Sequence, residues 1–170
     1  MNRKSFLAAA IAAALLATTG ASAIAQTYPS KPITMVIPFP PGGTLDTVGR
    51  ALAQRMSKQL GQTIVVDNKP GGAGTIGGLA VKQAAADGYT LLFSPSTHTT
   101  TPMTMKTAPY DVVKDFTPIA LAAKAPLAIA INKNLPITDV QSLIGYAKAN
   151  PGKLSFAIGS TGSAGHLSTE

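Results

Sequence analysis

Ile33-Thr34-Met35-Val36-Ile37-Pro38-Phe39-Pro40-Pro41-Gly42-Gly43-Thr44-Leu45-Asp46, continued by residues 47–60, is the stretch whose reading decides the fold. Ile33 to Ile37 is a short apolar run, the pattern of a strand covered on both faces. Leu45, Val48, Leu52, Met56 and Leu60 recur at three- and four-residue spacing, which predicts an amphipathic helix. Between them lie three prolines and two glycines. Proline removes backbone donors and stiffens the loop. Gly42 and Gly43 let a ligand approach the backbone with no side chain in the way. The first helical turn leaves N–H groups unpaired at the positive end of the helix dipole, where a carboxylate or phosphate can sit. The residues alone leave two readings open: a loop that grips an anion, or an ordinary strand-to-helix turn of an α/β domain.

The rest of the chain continues the alternation. Gly61 stands where a helix-terminating glycine is expected, and Thr63 to Val66 reads as a second strand. Gly72-Ala73-Gly74-Thr75-Ile76-Gly77 then matches the G-x-G-x-x-G dinucleotide fingerprint ahead of a helical stretch, Thr75 to Ala86. The glycines come too late after the strand, and no acid stands at the distance needed to hold a ribose. The better expectation is a glycine loop beside a ligand cleft, or one packed closely on the sheet. Asp87-Gly88 turns the chain into a third strand, Tyr89 to Phe93, which ends in the hydroxyl-rich loop 94–101. Loops at the carboxyl ends of parallel strands face the ligand in open sheets. Ser94, Ser96 and Thr97 are therefore candidates to hydrogen-bond a polar solute, or else a wet loop bonding its own backbone. Pro102 and Pro109 are expected to interrupt any helix.

Residues 116–123 and 127–131 read as two further strands, with a domain crossover near Ala125. Thr138 and Gln141 form a candidate capping box for a helix whose buried stripe is Val140, Leu143, Ile144 and Ala147. Leu154 to Ile158 is the next expected strand. Gly159-Ser160-Thr161-Gly162-Ser163 repeats the design of the first loop: small and hydroxyl residues between a strand and a helix starting near His166.

Composition limits the alternatives. The chain has 170 residues, 45% hydrophobic and 12% charged, with neither Cys nor Trp. It has room for one domain or parts of two, and lacks a disulfide framework or a thiolate metal site. Residues 1–25 read as a secretory signal peptide: Arg3 and Lys4, an apolar core of 12 residues from Phe6 to Ala17, and small-residue cleavage sites after Ala23 and, preferably, after Ala25. Without Arg3 and Lys4, 12 basic residues face 7 acidic ones, a net +5 that favours anionic ligands. The lysines are scattered and little aromatic residue interleaves them, so nucleic-acid binding is a poor reading. His98 has no second His nearby and no Cys, so no metal is expected, nor any cofactor. A hydrolase needs a nucleophile, a base and an orienting acid. Here there are two histidines and no Gly-x-Ser-x-Gly elbow.

One family unites these motifs. Tyr28-Pro-x-Lys-Pro-Ile33, Pro38-Phe-Pro-Pro-Gly-Gly-x-x-Asp46, Asn68-Lys-Pro-Gly71, Asp87-Gly-Tyr-Thr-Leu91, Tyr110-Asp-x-x-Lys-Asp-Phe-x-Pro118 and Gly162-Ser-x-x-His-Leu167 occur in order. Together they resemble the Bug-type receptors, the periplasmic substrate-binding proteins of tripartite tricarboxylate transporters. The resemblance runs from Tyr28 to Glu170. It implies a type II periplasmic-binding-protein fold, an α/β architecture of two Rossmann-like lobes around a cleft. Residues 26–124 would form the first lobe and 125–170 the start of a second, incomplete here, which makes the chain a fragment of a longer protein. It implies that Phe39, Pro41, Gly42, Gly43 and Thr44 bind a ligand carboxylate through backbone groups and water. Asp46 would fix the loop by accepting backbone N–H bonds, the alternative being a direct role toward an amino group on the ligand. Ser94, Ser96 and Thr97 would line the same cleft, and Ser160, Thr161, Gly162 and Ser163 would contribute from the second lobe. Ile158 stands where many members carry a hydroxyl. The function implied is a monomeric receptor, not an enzyme, that captures a small organic acid and delivers it to membrane transporter subunits. The alternatives are a sensor docking to a membrane signalling protein and, further off, a periplasmic hydrolase.

Overall fold

The computed structural model describes residues 27–107 and 109–170. The expected leader lies outside them. Three parallel strands form the sheet: β1 (Ile33–Ile37), β2 (Ile64–Asn68) and β3 (Thr90–Leu92), in the order β2-β1-β3. Ile33 stands opposite Ile64, and Thr34 opposite Thr90. β1 is central, which explains its unbroken apolar run. Ile33, Met35, Val36 and Ile37 are all buried. The ladder continues past the strand ends, with the Lys69 amide donating to Ile37 and the Phe93 amide to Val36.

The expected helix is α1 (Thr44–Leu60), ended by Gly61 at φ 65°. Its contact face differs from the expected stripe. Asp46, Gly49 and Ala53 are buried, while Val48 and Leu60 lie exposed. The reason is close approach: a Cβ on Gly49 would stand 2.5 Å from Ile37 Cδ1 and 3.0 Å from the Phe93 ring. Small residues, flanked by half-buried Leu52 and Met56, set the helix on the sheet.

A 3₁₀ turn (Gly72–Gly74) leads into α2 (Thr75–Lys82), shorter than the expected 75–86. The hydroxyl-rich stretch is a helix from its fourth residue, α3 (Thr97–Thr104), with Pro102 inside it. Proline there leaves the His98 carbonyl without its helical N–H donor. The Tyr110 hydroxyl donates to that carbonyl at 3.5 Å, and the His98, Tyr110 and Phe116 rings pack together. Tertiary contacts thus hold a helix that local propensity opposes. Burial in this cluster pushes the His98 imidazole below its ordinary range and the Tyr110 phenol above its own.

The later segments depart further. α4 (Val140–Ala149) is capped one residue beyond the expected position. Asp139 accepts the Ser142 amide at 2.7 Å, and the Ser142 hydroxyl accepts the Asp139 amide at 3.0 Å. No residue of α4 is buried, so Val140, Leu143, Ile144 and Ala147 form no core stripe. The strands expected at 116–123, 127–131 and 154–158 are absent. Those segments find no neighbouring strand among the described residues, and a strand without a neighbour has no ladder. Ile119 and Leu121 remain 80% and 74% exposed. A final turn of helix, α5 (Ala164–Thr169), follows the second glycine loop. No helix among the described residues is long and apolar enough to cross a membrane.

Candidate functional site

Because all three strands are parallel, the loops that follow them emerge at one edge of the sheet. The chain passes from β1 to β2 on one side and then to β3 on the other. Such a reversal opens a crevice between the carboxyl ends of the adjacent strands at the switch, here β1 and β3. A shallow cavity of about 290 Å³, open to solvent, lies there. Phe39, Pro40, Pro41, Gly43, Thr44 and Leu45 line it from the β1–α1 loop, and Pro95 from the loop after β3.

Its walls are apolar apart from the start of α1. Gly43 is the N-cap of α1 and offers no side chain to the first turn. The Thr47 amide is satisfied by the Gly43 carbonyl. The amides of Thr44, Leu45 and Asp46 meet no protein acceptor among the described residues. An uncapped first turn is a cluster of donors at the positive end of the helix dipole, suited to an oxyanion.

Behind this turn, Asp46 is 4% exposed. Its Oδ2 accepts the Gly42 amide at 2.9 Å and Arg50 Nε at 3.0 Å, and its Oδ1 accepts Asn68 Nδ2 at 3.0 Å. Asn68 Nδ2 also donates to the Phe39 carbonyl, and Arg50 Nη2 to Asn68 Oδ1 at 2.8 Å. The network clamps both sides of the Pro40-Pro41 tip. The Arg50 hydrogen bond, with those from Gly42 and Asn68, lowers the Asp46 carboxyl from 3.8 to about 2. The loop-fixing bond expected of Asp46 is present. The Gly42 amide is thereby committed and is not among the open donors. Arg50 and Asn68 were missed from sequence. Arg50 carried a signal, standing four residues after Asp46 on a helix. Asn68 lies 22 positions from Asp46, and nothing local joins them.

The other expected residues lie elsewhere. Ser94, Ser96 and Thr97 do not line the cavity, though Pro95 among them does. Ser94 Oγ donates to the Pro95 carbonyl at 3.4 Å, and the Ser96 carbonyl accepts from Thr99 and Thr100. Thr97 is 4% exposed, and its Oγ1 is buried with no hydrogen-bond partner. On the second glycine loop, Ser160 Oγ donates to the Thr161 carbonyl, and Ser163 Oγ caps α5 through the His166 amide. Gly162 is held against α3: the Thr100 hydroxyl donates to its carbonyl at 2.6 Å.

The fingerprint-like glycines pack on this region. Gly74 lies against the Phe39 ring, and the Thr101 hydroxyl reaches the Ala73 carbonyl at 3.4 Å. The 3₁₀ turn therefore bridges the cavity loop and α3.

Comparison with known proteins gives the family and the fold. The family model described as tripartite tricarboxylate transporter family receptor matches residues 48–170. Protein BugT of Bordetella pertussis is 40% identical over 168 residues, 95% of this chain and 51% of that protein. Among solved structures, Rpa4515 of R. palustris with adipate is 40% identical, with a TM-score of 0.76 over 84% of this chain and 48% of that one. The periplasmic binding protein BugD is 35% identical, with a TM-score of 0.65 over 82% of this chain and 47% of that one. The chain spans about half the length of these relatives. Its α/β fold is that of the periplasmic binding proteins it matches.

Proposed function

Because the chain belongs to the tripartite tricarboxylate transporter receptor family, whose members are solute-binding receptors rather than enzymes, we propose that it is part of an extracytoplasmic solute receptor whose first lobe grips the ligand. The solute is a small carboxylate. One carboxylate group is captured by the open amides of Thr44, Leu45 and Asp46, with Phe39, Pro41 and Gly43 shaping the wall around it. The observation that carries this reading is the uncapped α1 N-terminus opening on a cavity at the β1/β3 switch point. The adipate bound to the related Rpa4515 supports a carboxylate as the class of solute.

The remaining assignments follow from the family. A second lobe starts near residue 125, and Ser160, Thr161, Gly162 and Ser163 approach the solute from it. Ser94, Ser96 and Thr97 complete the first-lobe side. The leader directs the protein to the periplasm, and the closed, loaded receptor delivers its solute to the transporter's membrane subunits. Closure follows from the differential affinity of the solute for the closed state.

Calorimetry on the native-length protein tests the reading. Adipate or another mono- or dicarboxylate should bind. Replacing Gly43 with a bulky residue should weaken binding without unfolding the protein, because a Cβ at Gly43 meets nothing nearer than the Pro40 carbonyl oxygen at 3.8 Å. Unchanged affinity in that variant would remove the loop from the site.

A further inference from the structure

Two turns of this chain are built alike. In the β1–α1 loop, Gly42 at φ 84° precedes an extended N-cap, Gly43 at φ −76° and ψ 170°, and the Gly42 amide donates to the side chain of Asp46, four residues on. In the second glycine loop, Gly162 at φ 75° precedes an extended N-cap, Ser163 at φ −69° and ψ 160°. The Gly162 amide donates to His166 Nδ1 at 3.3 Å, again four residues on. The same backbone bend turns each glycine amide back on the first turn of its helix. One turn meets it with a carboxylate, the other with an imidazole.

The change of acceptor alters the chemistry. The Asp46 carboxyl, lowered to about 2, stays an acceptor at any neutral or mildly acid pH. An imidazole accepts only at an unprotonated ring nitrogen, and imidazoles as a class change charge between about pH 5 and 8. An amide can only donate, so the Gly162 bond fixes the tautomer: Nδ1 holds the lone pair and Nε2 the proton. Proton uptake at Nδ1 sets N–H against N–H and ends the bond.

Gly162 is fixed from two sides. Its carbonyl accepts the Thr100 hydroxyl of α3 at 2.6 Å, and a Cβ there would stand 3.3 Å from Thr104 Oγ1 and 3.4 Å from Thr101 Oγ1. His166 supplies the hold on the amide side. Glu170, on the same helix, faces Nε2 at 3.4 Å, but its side chain is 64% exposed and such a pair is weak. Among the described residues no other charged group pairs with the ring. α3 brings only threonine hydroxyls to the loop, and its one titratable side chain, His98, packs on Tyr110 and Phe116 instead.

We propose that His166 is a positioning residue: acting through the Gly162 amide, its neutral imidazole holds the second glycine loop in shape, and proton uptake releases the loop and weakens solute binding. The effect on binding rests on the reading that residues 160–163 approach the solute; the hold on Gly162 does not.

NMR and calorimetry on the native-length protein test the two parts separately. In the solute-free wild type at pH 8, the His166 ring nitrogens should report the Nε2–H tautomer. The Gly162 amide signal should then move along the His166 titration. The other tautomer, or a Gly162 amide indifferent to that titration, overturns the inference. For adipate, lowering the pH from 8 to 5.5 should weaken binding to the wild type at least about threefold more than binding to His166→Asn, roughly the effect of losing one hydrogen bond. Asparagine Oδ1 stands near the place of Nδ1 and accepts without titrating. Taking the ratio of the two proteins cancels protonation of the solute and of His98. At pH 8, His166→Leu should bind at least about threefold more weakly than wild type, and His166→Asn should restore most of that loss. Should His166→Leu fail to fold, the wild type and His166→Asn decide alone. Parallel pH profiles in those two proteins overturn the effect on binding. A folded wild type that binds no organic acid overturns the receptor reading and leaves the tautomer test standing.

Discussion

Gly77 and Pro38 touch so closely that a Cβ on Gly77 would stand 2.6 Å from Pro38 Cβ and 2.9 Å from Pro38 Cα. The contact presses α2 onto the end of β1, where the β1–α1 loop begins. Because Pro38 Cα is backbone, no rotamer change relieves the clash. Gly77→Ala should therefore destabilise the fold by about 1–3 kcal/mol, despite the better helix propensity of alanine. Gly145 in α4 is the control, since a Cβ there meets nothing within 4 Å. Gly145→Ala should gain up to about 1 kcal/mol. Urea denaturation of the native-length protein separates the two, and a neutral Gly77→Ala would mean that α2 is free to lift from the sheet.

That contact marks what was legible in the sequence. The core around the three-stranded sheet was readable because each signal was local. β1 showed as an apolar run, α1 as a periodic stripe, and Gly61 as a stop. Within the glycine fingerprint, Gly77 is needed for its close contact with Pro38. The α1 face was misread because Gly49 and Ala53, too small to register as hydrophobic, make the closest approach.

What stayed hidden depends on distant partners. Residues 116–123, 127–131 and 154–158 have strand-like composition, yet pairing is a property of two segments, and no second segment pairs with them among the described residues. α3 defied the rule that Pro102 breaks helices because Thr100, Thr101 and Tyr110 anchor it through Gly162, Ala73 and His98. Of the candidate site, the β1–α1 loop was legible as a strand-to-helix turn whose first amides are left open. The clamp of Arg50 and Asn68 on Asp46 was not, since it closes across the β1–α1–β2 unit.

The Pro102 arrangement is open to a double-mutant cycle. Pro102→Ala restores an N–H for the His98 carbonyl and should stabilise α3. In the wild type, Tyr110→Phe should cost about 0.5–1.5 kcal/mol, the usual net value of one hydrogen bond. In the Pro102→Ala background the same change should cost less, because the carbonyl then has its helical donor. Equal costs in both backgrounds would show that the hydroxyl does not compensate for the proline.

Thr97 offers a separate test. Its buried hydroxyl has no protein partner, and an unmade bond of this kind costs about 1–3 kcal/mol. Thr97→Val keeps the shape and removes the polar atom. The protein should become more stable, because the orphaned polar atom is gone while the packing is kept. Thermal unfolding of the native-length protein reads the effect. A loss of stability would reveal a hydrogen-bond partner for the hydroxyl.

Acid titration probes the clamp on Asp46. Its carboxyl is lowered from 3.8 to about 2 in the folded protein, chiefly by Arg50, then by the Gly42 amide and Asn68. A depressed folded value means that the folded state holds its proton less tightly than the unfolded chain. The resulting stability is fully present above pH ~4 and is lost as pH falls towards 2. Asp87, Asp111, Asp115 and Asp139 are lowered as well and add to the same slope. Asp46→Asn isolates the clamp, since the amide keeps the size but does not titrate. The variant should be less stable than wild type at pH 7, with the difference shrinking between pH 4 and 2, as followed by circular dichroism. A difference that stayed constant across that range would mean that Asp46 holds the loop by shape rather than by charge.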